Sequence, residues 1–224
     1  MITKDFLMRS IEAFMAAIAR IIAHKLGGDY RQARQEMDRT CTRFVGLEYA
    51  TAKDLSPELL VDLVKAGGPL DLHRSLMLAE LLIADGEITE LEQEPQRAKA
   101  RYVSALALCL EDFPRRADKT QGRAHQKIQW LLIQIPPQEI SANIKAQLLL
   151  YYETMGNLAT AEDLLFELIG ADPSHFVQTG IAFYHRLLKQ SNNFLEQGNL
   201  PRQEVLEGLE EIQRKSTYDY RNKM

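Results

Sequence analysis

The spacing of apolar residues constrains this chain more than any other feature of its sequence. Near the N-terminus, apolar side chains recur every three or four positions, the period of an amphipathic helix. These side chains are Leu7, Ile11, Phe14, Ile18 and Ile21. No stretch longer than four residues alternates as a half-buried strand does. The chain is therefore predicted to be all-α.

Glycine and proline divide this pattern into about ten predicted helices. Gly27-Gly28 ends the first helix, and Ser56-Pro57 supplies a cap and a first-turn proline for the third. Asp85-Gly86 is expected to break another helix and to open an acidic loop over 85–94. Gly156 is expected to end the seventh helix. A ninth helix is expected to run from about Asp172 to Glu196.

No linker rich in serine or glycine interrupts the helices, so one domain is predicted over 1–215. The segment 216–224 is polar, lacks an apolar period and is predicted to be a frayed tail.

Charge and hydropathy exclude several classes of protein. The 27 basic and 31 acidic residues give a net charge of −4, which disfavours a nucleic-acid partner. The longest run without an ionised side chain is the 13 residues of 173–185, too short to span a membrane. The N-terminal segment lacks the features of a signal peptide. We therefore expect a cytoplasmic protein without a membrane partner, whose cysteines, Cys41 and Cys109, are free and buried.

The motifs of the common catalytic sites are missing from the sequence. There is no phosphate-binding glycine loop and no CxxC, HExxH or GxSxG pattern. No two of the five histidines are three or four positions apart, as a metal-binding pair on one helix would be. The sequence therefore predicts no catalytic residue, no metal site and no cofactor.

Residues 142–175 are similar to a tetratricopeptide unit, a helix pair of about 34 residues. Lys145 and Leu149 stand where that repeat has tryptophan and glycine. Within 142–175 the matching residues are Leu148, Tyr152, Gly156, Leu158, Ala161, Leu165 and Pro173. Weaker copies of the pattern occur over 1–41 and 70–105. The resemblance implies helical hairpins stacked as a short right-handed superhelix.

The whole chain also resembles an uncharacterised bacterial family of about this length. The resemblance is carried by an early segment, 5–12, and by a late segment, 161–168. It implies the fold, and it assigns no activity.

The tetratricopeptide resemblance implies a concave face lined by the first helix of each pair. Such a face suits an extended peptide or a partner helix. The leading hypothesis is therefore a non-catalytic scaffold that binds a protein or peptide. Two alternatives remain open: an enzyme or small-molecule binder with a pocket near His73 or His185, and an architectural homo-oligomer. The predicted face comprises His73, Glu80, Asn143, Leu150, Glu153 and Tyr184.

Two further segments allow more than one interpretation. The first helix carries a second apolar stripe at strict sevens, Met8, Met15 and Ile22. It is either buried against the protein's own helices or used to form a homodimer. The basic segment 115–127 is either a solvated or partner-facing patch or a phosphate contact, and the acidic chain favours the former.

Overall fold

The computed structural model describes the backbone of residues 2–66, 71–113 and 120–222. Across these residues it contains twelve α-helices, ten of them seven residues or longer, and no strand. The all-α prediction is confirmed. The chain divides into two compact units, an N-terminal unit, Met1–Ile140, and a C-terminal unit, Ser141–Met224. The prediction of a single domain over 1–215 stays a prediction.

The N-terminal unit begins its helices at the caps that the sequence suggests. Asp29 accepts a hydrogen bond from the Gln32 amide at 3.1 Å, and Ser56 accepts one from the Leu59 amide at 3.3 Å. A 3₁₀ helix, Pro137–Glu139, closes the unit. Its described α-helices are α1 (Ile2–Leu26), α2 (Tyr30–Phe44), α3 (Tyr49–Ala52), α4 (Pro57–Lys65), α5 (Asp71–Leu91), α6 (Pro95–Asp112) and α7 (Thr120–Gln134).

Two helix pairs of this unit coincide with the weaker repeat copies. Helix α1 packs on α2, and α5 packs on α6 more extensively than any other pair. Helices α4 and α7 also pack against α6. The buried side chains between them are large and apolar, as a single core requires. They include Phe14, Ile21, Met37, Leu60, Leu78, Leu82 and Leu106.

The predicted break at Asp85-Gly86 is wrong, because α5 continues through both residues to Leu91. Only 92–94 of the predicted acidic loop lies outside a helix. Gly86 serves close packing instead of a turn. A Cβ atom at this position would lie 2.3 Å from Cε1 of Tyr102 on α6, so only glycine fits without movement of the ring.

The C-terminal unit contains the best predicted repeat. Helices α8 and α9 pack as a pair, and Gly156, with a φ of 76°, caps α8 in the left-handed region. Ala161 is completely buried between its neighbours, in agreement with a small residue at a helix crossing. The helices are α8 (Ala142–Met155), α9 (Leu158–Ala171), α10 (Pro173–Leu187), α11 (Asn192–Gln197) and α12 (Arg202–Asn222).

The predicted ninth helix, Asp172 to Glu196, is wrong as one element, because it consists of α10 and α11. Ser191 separates them: its hydroxyl accepts a hydrogen bond from the Phe194 amide at 3.2 Å and caps α11. The last helix, α12, continues to Asn222, past the predicted end at Lys215. In the part of the chain that the structure describes, no helix has both the length and the hydropathy for crossing a bilayer.

Candidate functional site

A groove of about 390 Å³ opens on the C-terminal unit, along one face of three helices. Helix α8 contributes side chains from its last two turns, α10 from its last turn, and α11 closes the end. Leu187 lies at the base of the groove but is only 1% exposed, so the accessible lining is mostly polar. The lining residues are Leu150, Glu153, Thr154, Arg186, Leu187, Gln190 and Phe194.

Two apolar side chains, Leu150 and Phe194, form the rim of the groove. Leu150 is 44% exposed, although its neighbours Leu148 and Leu149 are buried. Phe194 is half-buried. Its ring lies beside Gly156, where a Cβ atom would be 3.8 Å from Cε2 of the ring. The ring of Phe194 is therefore within ordinary contact distance of the cap of α8.

An ion pair between Arg186 and Glu153 forms the polar part of the groove. Arg186 donates from Nε to Oε1 of Glu153 at 2.8 Å and from Nη2 to Oε2 at 2.7 Å. This two-point geometry holds both side chains in one orientation, and the hydrogen bonds to Glu153 raise the pKa of Arg186. A guanidinium has five N–H groups, so three remain for a bound molecule.

Two polar side chains of this lining are held by partners within the protein. The Thr154 hydroxyl donates to the carbonyl oxygen of Leu150 at 2.7 Å, so its proton is held by the helix. Glu153 is held by Arg186, and the described lining residues include no imidazole and no thiol. An apolar rim beside one oriented cation is a combination found in recognition surfaces.

The structure brings together two of the six residues predicted for the concave face, Leu150 and Glu153. Asn143 is exposed near the start of α8, away from the lining. Glu80 lies in the N-terminal unit, where its carboxylate pairs with Lys127. The side chain of His73 lies outside the described residues.

The structure corrects the prediction that Tyr184 lines the concave face. Its side chain is completely buried and does not line an open face. Its hydroxyl donates to Oε1 of Glu162 at 2.5 Å, and its ring packs against Gly208 of α12. Burial, then the hydrogen bond with Glu162, raises the pKa of Tyr184 far above its ordinary value. The tyrosine therefore belongs to the core of this unit.

Sequence reasoning missed Arg186, Gln190 and Phe194. The sequence prediction placed the correct helix, α10, at the groove but assigned the wrong side of that helix to the lining. Arg186 is two positions beyond Tyr184, which turns it by roughly 200° around the helix. The opposite charges of Glu153 and Arg186 were the sequence signal that could have indicated this groove. Whether the two residues pair depends on how α8 and α10 are placed relative to each other.

The N-terminal unit contains a second group of interacting charges, an ion network centred on the buried residues Asp85 and Arg101. Asp85 is 2% exposed and accepts from Nε of Arg34 at 3.0 Å and from Nε of Arg101 at 3.1 Å. Arg101 also donates to Asp54 at 2.9 Å and to the carbonyl oxygen of Lys53. A cavity of about 450 Å³ lies beside Arg101. Because the bonds of Arg101 tie together parts of the chain, we interpret this network as structural.

The cysteines and histidines provide the other candidate reactive groups. Cys41 and Cys109 are buried and neither forms a disulfide, as predicted. Burial raises the pKa of the Cys41 thiol to about 12, so little thiolate forms near neutral pH. His185 is exposed. Among the described residues, no three His, Cys, Asp or Glu side chains are grouped to hold a metal ion.

Comparison with known proteins identifies the family of the chain and no activity. The chain belongs to a family of unknown function (DUF6483), whose model matches residues 1–217. No curated protein matches the sequence. No solved structure matches it either.

Proposed function

We propose that this member of the DUF6483 family is a non-catalytic binding module. In this proposal, the groove of α8, α10 and α11 holds a short extended peptide segment of a partner protein. The observation that carries the proposal is the combination of exposed Leu150 and half-buried Phe194 with the oriented Glu153–Arg186 pair.

The dimensions and chemistry of the groove favour a short segment. A volume of about 390 Å³ is in the range of sites that hold a small ligand or a few side chains. An apolar side chain of the peptide would pack between Leu150 and Phe194. A peptide carboxylate or backbone carbonyl would accept hydrogen bonds from Arg186.

The tetratricopeptide-like architecture is part of the same proposal. Helices α8 and α9 form the best matching pair, and α10 begins the next pair. The groove is lined by α8 and α10, the first helices that the resemblance assigns to a concave face. We also propose a cytoplasmic location, which the absence of a disulfide at the two buried cysteines, Cys41 and Cys109, supports.

The test selects a peptide from a random display library with the full chain and measures its affinity by fluorescence anisotropy. Leu150→Glu places a charge on the apolar rim and is expected to weaken binding by about tenfold or more. Leu206→Glu is the matched control, because Leu206 lies in the same unit, outside the groove, and is 42% exposed against 44% for Leu150.

The expected result is loss of affinity in Leu150→Glu alone, with both variants retaining the helical circular dichroism of the native chain. Equal affinities for the native chain and Leu150→Glu would remove the groove from the binding site. Failure to select any peptide would count against a peptide-binding function.

A further inference from the structure

Helix α1 has an apolar side that its own unit leaves uncovered. Phe14, Ala17 and Ile21 are buried in the core of the N-terminal unit. On the other side, four large apolar side chains are 39% to 80% exposed, among eleven such side chains in the described chain. These four, the outer stripe, are Met8, Met15, Ile22 and Leu26. The stripe at sevens is therefore not buried by the described helices of its own unit.

Small residues accompany the outer stripe. Ala16, Ala19 and Ala23 are exposed on the same side of α1, so a second helix can approach the backbone closely. The members of the stripe follow one another at seven, seven and four positions, the spacing of a helix–helix seam. We propose that two copies of this chain pair through this face, with their α1 helices antiparallel.

Charge selects the antiparallel arrangement. Glu12 is the only carboxylate between Met8 and Leu26, and it is exposed beside the outer stripe. A parallel pair places identical residues opposite each other and brings the two Glu12 carboxylates together. An antiparallel pair with Ala16 at its two-fold axis places Glu12 of each copy beside Arg20 of the other.

Arg20 is able to accept this second carboxylate. It donates from Nε and Nη2 to a single oxygen of Glu36, at 2.8 and 2.6 Å, and its side chain is 56% exposed. The same register sets Met15 of one copy near Ala19 of the other, a large side chain against a small one. The arrangement thus satisfies both shape and charge.

The size of the surface sets the strength expected of the dimer. The outer stripe extends for about 27 Å along the helix. Two helices in contact over this length form an interface at the small end of the range for stable complexes. We therefore expect a dimer that dissociates on dilution. It uses only the N-terminal unit and is independent of the proposed groove.

Cysteine cross-linking of the full chain with a short bis-maleimide tests the register. Ala16→Cys is expected to cross-link with itself. Arg9→Cys and Ala23→Cys are each expected to stay monomeric alone and to cross-link when mixed. Ile133→Cys on α7, 80% exposed, is the control for random collision. The native cysteines are buried and do not compete.

Self-cross-linking of Arg9→Cys and Ala23→Cys, each alone, would indicate a parallel pair and overturn the proposal. Sedimentation equilibrium supplies a second test that needs no cysteine. The native mass should rise from 25.6 kDa toward twice that value with concentration. Met15→Glu should raise the dissociation constant about tenfold or more, while Ile133→Glu leaves it unchanged. A native mass of one chain at every concentration would leave a different protein or a lipid surface as the occupant and contradict the dimer.

Discussion

In the N-terminal unit a buried carboxylate, Asp85 of α5, holds arginines from α2 and α6, whereas in the C-terminal unit helices meet at glycine. Gly180 of α10 lies so close to its neighbours that a Cβ atom would be 2.8 Å from Ile212 and 3.1 Å from Ile169. The first arrangement depends on long polar side chains from distant positions. The second depends on the absence of a side chain. The network around Asp85 and the helix crossing at Gly180 therefore respond differently to the loss of a charge and to an added methyl group.

The largest expected effect is from Asp85→Asn, which leaves two arginines around a neutral amide. Breaking a buried ion pair costs about 3–5 kcal/mol, and Arg101 is 6% exposed. Urea unfolding followed by the fluorescence of Trp130, the single tryptophan of the chain and a residue of this unit, measures the loss. Its ring contacts Tyr102 edge-on at 5.4 Å.

The matched variant for this prediction is Glu153→Gln, which breaks the more exposed pair with Arg186. It is expected to cost about 1 kcal/mol or less. Equal losses in the two variants, by circular dichroism, would mean that Asp85 is no more important to its unit than an ordinary surface pair.

The next effect is expected from Gly208→Ala in α12. Its Cβ atom would lie 2.2 Å from the hydroxyl oxygen of Tyr184, a buried ring that already bonds Glu162. We expect a net loss of about 1–2 kcal/mol in urea unfolding followed by circular dichroism. Gly170→Ala, in α9, meets no atom within 4 Å and should instead stabilise by up to about 1 kcal/mol. Stabilisation by both substitutions would show that close packing at Gly208 is unimportant.

The smallest effect is a pH dependence in the C-terminal unit. Burial raises the pKa of Glu162, the hydrogen bond from Tyr184 opposes the shift, and the carboxylates of Glu204, Asp163 and Glu211 add to it. A carboxyl group with a raised folded-state pKa stabilises the fold at low pH. That contribution is lost as pH rises above the ordinary value of 4.5. The stability of Glu162→Gln relative to the native chain should therefore increase with pH above 4.5. A difference that does not vary with pH would contradict the shift.

Local signals in the sequence predict most helix ends. Ser56-Pro57, Gly156 and Asp172-Pro173 each supply their own cap or stop, and the structure places helix ends at all three. Ser191 is a cap signal of the same kind, but the long apolar pattern around it favoured one continuous helix. These features depend on residues within a few positions of one another, so a single sequence contains them.

Features that depend on contacts between distant residues were not predictable in the same way. Asp85-Gly86 has the composition of a turn, but Tyr102 requires the glycine and Arg34 and Arg101 stabilise the carboxylate. The groove likewise depends on contacts between distant residues. Leu150 and Glu153 share a face of α8 and were predicted together, whereas their partner on α10 depends on the packing register of another helix.

Nuclear magnetic resonance of the full chain during titration with the selected peptide tests the proposed groove most directly. The methyl groups of Leu150 and Leu187 and the amides around Arg186 and Phe194 should shift with the binding curve, while signals of the N-terminal unit stay unchanged. Shifts confined to the N-terminal unit, or saturable binding without shifts in α8, α10 and α11, would contradict the account.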